Sequence, residues 1–191
     1  MMSKTRCALF AGALSAAVAG SANAALIEIT YSGVASGRWL NGIYSGQTFT
    51  SKAFTIFTSG LTSNVSGGPS VFTAANSFTS LTLDGYGEIG VNSTTNGWVS
   101  QSQGRGGLTV TGQSDLFGFS NAAFYSWNMG TNLGPISGLA VFNTQPLFTA
   151  YGAILFSGTA TVTLTSTVVP APSAVALIGL VGAVGARRRR A

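Results

Sequence analysis

The chain has 191 residues, of which 26 are glycine, one is cysteine, none is histidine and only 7% are charged. The formal net charge of +5 comes from the two ends, because six cations lie there and the rest of the chain carries −1. These six are Lys4, Arg6, Arg187, Arg188, Arg189 and Arg190. A basic nucleic-acid-binding surface is therefore excluded as the source of the charge, and we predict no nucleic-acid partner.

Residues 1–24 have the three parts of a secretory signal peptide. Lys4 and Arg6 form a cationic head, residues 8–20 are small and apolar, and an A-x-A site follows. The predicted signal peptidase site is Ala22, Ala24 and Ala25. The apolar core has about 13 residues, which is too short to span a bilayer comfortably. We predict export, with the export machinery and signal peptidase as partners; a buried N-terminal helix is the alternative.

Residues 25–167 are predicted to form one all-β domain. Thr, Val, Ile and Phe favour strands, and the frequent glycines favour turns and bulges. Apolar and polar residues alternate at both ends of the domain, over 27–32 and 159–165. The other predicted strands are 48–58, 78–83, 98–103, 108–111, 123–127, 139–143 and 148–156, and 104–107 is a predicted hairpin turn. Short strands separated by turn clusters are typical of a β-sandwich, and we predict one of jelly-roll type.

The residues available for catalysis are few. Cys7 precedes the predicted cleavage site, so the mature chain has neither Cys nor His for a nucleophile, a general base or a zinc site. Asp84 and Glu88 are the one acidic pair close in sequence, in a glycine-rich turn. A hydrolase or a Ca²⁺ site could use two carboxylates, but we favour a solvated hairpin as the explanation of this pair. We predict no enzymatic activity, no cofactor and no metal.

Three tryptophans, Trp39, Trp98 and Trp127, each lie beside turn or loop residues. Exposed indole rings stack on sugars, so this pattern indicates a candidate carbohydrate site with extracellular polysaccharide as its ligand. The alternative is that the tryptophans belong to the core, because each can bury about 150–250 Å². The phenylalanines expected in the core are Phe54, Phe57, Phe117, Phe119 and Phe156.

Residues 168–191 change from polar to apolar and end in cations. Residues 168–186 carry no charge, and a helix of that length covers roughly 30 Å, the thickness of the apolar layer of a membrane. Pro170 and Pro172 resist a helix, so we expect it to begin near Ser173. The arginines would remain on the cytoplasmic side. A span this short and glycine-rich favours transient insertion over a permanent anchor, which is the alternative.

The C-terminal pattern resembles a PEP-CTERM sorting signal. Its parts are the motif Val169, Pro170, Ala171, Pro172, Ser173, the apolar stretch 174–186, and the basic end Arg187, Arg188, Arg189, Arg190. Ala171 stands where the family's motif has Glu. The resemblance implies recognition by an exosortase, which is a membrane-embedded Cys protease-transpeptidase of Gram-negative bacteria.

The same resemblance implies transit through the inner membrane, removal of the tail, and delivery to the cell surface or the extracellular matrix. The sequence thus predicts an exported structural protein of the envelope or biofilm matrix. The alternative function is a lectin-like, carbohydrate-binding module at the cell surface.

Overall fold

The part of the chain that the structure describes is all-β, as predicted. In the computed structural model the structure is described for residues 25–68 and 70–170, and Ala25–Val169 forms a compact unit of its own. The strands in this part are β1 (Leu26–Trp39), β2 (Thr48–Leu61), β3 (Val65–Gly67), β4 (Phe72–Ala75), β5 (Phe78–Leu83), β6 (Gly87–Gly90), β7 (Thr95–Ser100), β8 (Arg105–Val110), β9 (Asp115–Ser120), β10 (Leu133–Phe142), β11 (Leu147–Thr149), β12 (Gly152–Ser157) and β13 (Thr159–Val169). Two short 3₁₀ helices cover Thr62–Asn64 and Ala122–Tyr125.

The strands form one antiparallel sheet. Its order is β3-β4-β7-β8-β9-β10-β13-β1-β2-β5-β6, and β11 and β12 branch from it through β1. The branch arises because β1 is long enough to have two partners on the same side. Leu26 to Gly33 pair with β13, and Ser36 to Trp39 pair with β12.

The sheet curls around a single apolar core. The Tyr31 hydroxyl on β1 donates a hydrogen bond to the Gly107 carbonyl on β8 at 3.0 Å, and the Tyr31 ring meets Phe117 on β9 edge-on, with centroids 5.2 Å apart. Phe54 on β2 meets Phe142 on β10 at 5.8 Å. These strands are distant in the sheet order, so one half of the sheet faces the other across the core.

Period-two alternation decides which side chains enter that core. Phe54, Phe117, Phe119 and Phe156 are buried as predicted. The prediction for Phe57 is wrong. Its neighbour Ile56 points into the core, so Phe57 lies on the outer face, half-buried and paired with Thr30 and Ser80.

One predicted strand is a helix. Residues 123–127 were expected to be extended, but Ala122–Tyr125 forms a 3₁₀ turn. The Asn121 side chain caps this turn by accepting a hydrogen bond from the Ala123 N–H at 2.9 Å. The turn buries Phe124 completely, so its apolar residues serve the core without a strand.

The glycine-rich run 104–107 is mostly strand, contrary to the prediction of a hairpin turn. The turn lies at 101–104 and β8 begins at Arg105. Gly106 and Gly107 are glycine because neighbours occupy the space of a side chain. A Cβ on Gly106 would lie 2.9 Å from the Phe124 ring, and one on Gly107 would collide with the Phe117 carbonyl oxygen.

The last strand extends past the boundary predicted at residue 167. The Val168 N–H donates to Asn132 Oδ1 at 2.6 Å, and Val169 pairs with Leu26. Two residues that the sequence pattern assigns to the tail therefore belong to the sheet. Further back, the predicted strand 148–156 is divided by a turn at 150–151 into β11 and β12.

Candidate functional site

The described residues include only the first part of the predicted sorting motif. Val169 is the last residue of β13 and is 41% exposed, and Pro170 follows it on the surface. Proline has no N–H, so it cannot continue the ladder that β13 forms. The motif residues Ala171, Pro172 and Ser173, the basic residues Arg187, Arg188, Arg189 and Arg190, and the cleavage-site residues Ala22 and Ala24 lie outside the described residues.

Two of the three tryptophans lie in the core. Trp39 is 1% exposed, and its ring packs against Tyr44 and Tyr86 with centroids 5.3 and 5.6 Å away. Trp127 is 3% exposed, and its Nε1–H donates to the Thr131 carbonyl at 2.8 Å. Neither ring presents the exposed face that the carbohydrate-binding prediction requires.

Trp98 is half-buried on the outer face of β7. It pairs with Gly107, which pairs in turn with Gly118 on the next strand. A Cβ on Gly118 would lie 2.7 Å from Cζ2 of the indole, so the ring occupies the space above that glycine. The Trp98 Nε1 is buried and has no hydrogen-bond partner among the described residues. The ring therefore packs over the backbone at Gly118, and part of its surface is exposed to solvent.

The acidic pair does not form a shared site in this structure. Asp84 forms an ion pair with Lys52, in which Lys52 Nζ lies 3.0 Å from Asp84 Oδ2, and both side chains are exposed. Glu88 lies on β6 opposite Thr82 and is also exposed. Exposed ion pairs of this kind contribute little to stability. Within residues 25–68 and 70–170, no group of three or more Asp, Glu, His or Cys side chains is placed to hold a metal ion.

Tyr31 is the titratable group that burial perturbs most. Desolvation raises the pKa of its phenol well above the ordinary value, because the charged form would lie in the core without water. The hydroxyl is already used as a donor to Gly107. It therefore holds the two halves of the sheet together and is inaccessible to a substrate.

A polar cleft that the sequence did not predict lies beside β5. It has a volume of about 260 Å³ and is lined by two segments, residues 76–79 and 90–94. The first segment joins β4 to β5 and the second joins β6 to β7. Phe78 is its large apolar side chain and is 51% exposed.

The comparisons with known proteins add no relative to this picture. No protein-family model, curated protein or solved structure matches the chain. Among the helices in the described residues, none has the length and apolar character needed to cross a membrane.

Proposed function

We propose that this chain is an exported structural protein of the cell surface or extracellular matrix, sorted and processed by an exosortase through its C-terminal tail. The observation that carries the proposal is the order of Pro170-Ala171-Pro172, an uncharged stretch to Ala186, and four arginines. A signal peptide at the other end fits the same route. The chain would be in the inner membrane during transit and at the surface or outside the cell afterwards.

The position of the motif relative to the sheet supports this route. Val169 is held in the ladder by Leu26, and the preceding Val168 N–H is held by Asn132. Pro170 is the first residue beyond the sheet and is exposed. A protease that cuts near the motif would therefore leave the hydrogen-bonded domain intact.

The edges of the sheet support a structural role in a matrix. β3 and β6 end the strand order, and between them they carry one charged residue, Glu88. Edge strands with few charges can pair with another chain through their outward N–H and C=O groups, although in β6 the Gly90 carbonyl already accepts from the Ala150 N–H. Such edges suit a protein that assembles outside the cell better than a freely diffusing enzyme.

We also infer that the curled sheet is a β-sandwich of jelly-roll type. The contacts from Tyr31 to Gly107 and from Phe54 to Phe142 join strands from its two halves across one core. Two facing antiparallel layers with an apolar interior are what such a fold requires.

The C-terminal mass of the protein purified from the cells that make it tests the sorting proposal. We expect a chain that ends between Pro170 and Ser173 and is found outside the membrane fraction. Pro172→Ala should leave the tail attached, whereas Pro146→Ala, which changes a proline within the domain, should not. A wild-type chain that keeps Arg190 in the membrane fraction would show a permanent anchor and overturn the proposal.

The alternative function is carbohydrate binding at the surface. The polar cleft beside β5 favours it, together with the partly open ring of Trp98. Binding of the purified protein to a glycan array tests this alternative separately from sorting, because array binding does not depend on where the chain ends.

A further inference from the structure

Two residues that line the cleft beside β5, Asn76 and Thr79, are hydrogen-bonded to Thr95. The hydroxyl oxygens of Thr79 and Thr95 are 2.7 Å apart, and Asn76 Nδ2 donates to Thr95 Oγ1 at 2.9 Å. Both threonines are buried, at 6% and 1% exposure. Asn76 thus uses an amide hydrogen within the fold, and its Oδ1 is an acceptor that a ligand can use.

The walls of the cleft are fixed by the backbone. The Val91 N–H donates to the Thr79 carbonyl at 3.1 Å, and the Asn92 N–H donates to the Phe148 carbonyl at 2.9 Å. The Phe148 N–H in turn donates to Ser93 Oγ at 3.1 Å. The segment 90–94 is thus held between β5 and β11, so a ligand would not have to order it.

An aromatic ring forms the rim. Phe78 is 51% exposed, and Phe57 packs beside it with centroids 6.2 Å apart at a 56° angle. Phe57 thus contacts part of the Phe78 side chain, and about half of Phe78 stays open to solvent. An open ring next to amide and hydroxyl groups matches a ligand with one apolar face and a polar edge.

The lining carries no charge. All nine residues lining the cleft are asparagine, serine, threonine, glycine, valine or phenylalanine. An anionic or cationic ligand would lose water there without gaining an opposite charge. A neutral polyhydroxylated ligand loses less and can exchange its water contacts for those of Asn76 and Asn92.

We propose that this cleft binds a neutral sugar residue, packed against Phe78 and held by Asn76 and Asn92. The volume of about 260 Å³ is smaller than a typical drug-sized pocket and suits a single ring of a longer glycan. This inference rests on the carbohydrate-binding alternative and is independent of sorting. It assigns the ligand contact to residues other than the three tryptophans.

Calorimetric titration of the full chain in mild detergent tests the proposal. The probes are the methyl glycosides of glucose, galactose and mannose and their neutral oligosaccharides, with galacturonic acid oligosaccharides as the charged comparison. We expect at least one neutral probe to bind in preference to the acidic one. Phe78→Ala should weaken that binding by about tenfold, and Asn92→Asp should weaken it several-fold because it replaces a donor with a charge.

Two control variants match these changes. Tyr125→Ala removes an aromatic ring that is 61% exposed elsewhere, and Asn64→Asp adds the same charge at an exposed site in the 3₁₀ helix Thr62–Asn64. Neither control should change the affinity. Binding of none of the neutral probes, or preference for the acidic probe, would overturn the proposal. Binding that survives both cleft variants but is lost in Trp98→Ala would also overturn it, while supporting carbohydrate binding at a different site.

Discussion

Two regions of the sheet pack differently. One is formed by the long strands β1, β2 and β13, and the other by the short strands β7, β8 and β9. In the long-stranded region the side chains alternate, with residues such as Val162 and Leu164 inside and Thr161 and Thr163 outside. In the short-stranded region glycines at 97, 106, 107 and 118 lie among buried side chains such as Leu108 and Phe117. Packing in the second region therefore depends on these glycines as well as on apolar side chains.

The two regions meet at Gly97. A Cβ on Gly97 would lie 3.0 Å from Met129 Cε and 3.3 Å from Cδ1 of Ile29, a β1 residue. A large side chain from β1 thus fills the space beside this glycine. The general lesson is that a glycine-rich stretch in a sheet can mark close packing as well as a turn.

The largest expected effect comes from adding a methyl group to the short-stranded region. Gly107→Ala places a Cβ against the backbone of β9 at Phe117, which cannot rotate away as a side chain can. We expect a loss of about 3 kcal/mol or more in the free energy of unfolding, measured by chemical denaturation. Gly90→Ala is the control, because nothing lies within 4 Å of a Cβ there. Equal losses in the two variants would contradict the close-packing account.

The second-largest effect is expected from losing the hydrogen bond that joins the two regions. Tyr31→Phe removes the hydroxyl that joins β1 to β8 and leaves the Gly107 carbonyl without that donor. We expect a loss of about 1–2 kcal/mol in the free energy of unfolding. Tyr125→Phe, on a side chain that is 61% exposed, should leave stability unchanged. An unchanged stability in Tyr31→Phe would mean that this bond does not hold the two halves together.

Alkaline pH should sharpen the same comparison. Burial raises the pKa of Tyr31 in the folded chain, so its stabilising contribution is complete below the unfolded pKa of about 10 and decreases as pH rises above it. Near pH 11 this group should account for a loss of about 1 kcal/mol. Denaturation curves between pH 8 and 11 for the wild type and Tyr31→Phe measure the difference. The variant should lose less stability over that range, and parallel curves would argue against this assignment.

The smallest effect is expected on the outer face of the long-stranded region. Thr163 Oγ1 lies 2.8 Å from Ser137 Oγ on the neighbouring strand, in a place where water can replace either hydroxyl. Thr163→Val should therefore change the free energy of unfolding by less than about 0.5 kcal/mol. A loss above about 1 kcal/mol in the same denaturation assay would show that the outer hydroxyls stabilise the sheet, which the comparison does not predict.

The sequence predicts the long-stranded region well because its strands carry apolar side chains on one face and polar side chains on the other. The alternation at 27–32 and 159–165 identifies β1 and β13, although it ends each strand too early. In the short-stranded region the same method places a turn at 104–107 and overlooks β9 (Asp115–Ser120). Glycine has no side chain and adds nothing to an alternation of apolar and polar residues. The alternation therefore cannot distinguish a glycine-rich strand from a turn.

The candidate site is predicted less completely. The three tryptophans are predicted as a site because each lies next to a turn. That position does not show whether a ring points into the core, and the rings of Trp39 and Trp127 do. Most of the cleft beside β5 leaves no local signal in the sequence, because Asn76 and Thr95 are 19 positions apart and meet only when β4 pairs with β7. Its exposed Phe78, next to Asn76 and Ser77, is the one local signal that could have indicated it.

The pairing of Leu26 with Val169 has a mechanical consequence. A force that pulls these two residues apart would separate β1 from β13 one residue pair at a time, starting at the Leu26–Val169 pair. A force applied at Val169 against the body of the domain would instead load β13 in shear, and its ladders with β1 and β10 would resist together. Attachment by the C-terminal side alone is therefore the stronger tether, because many hydrogen bonds then have to break at once.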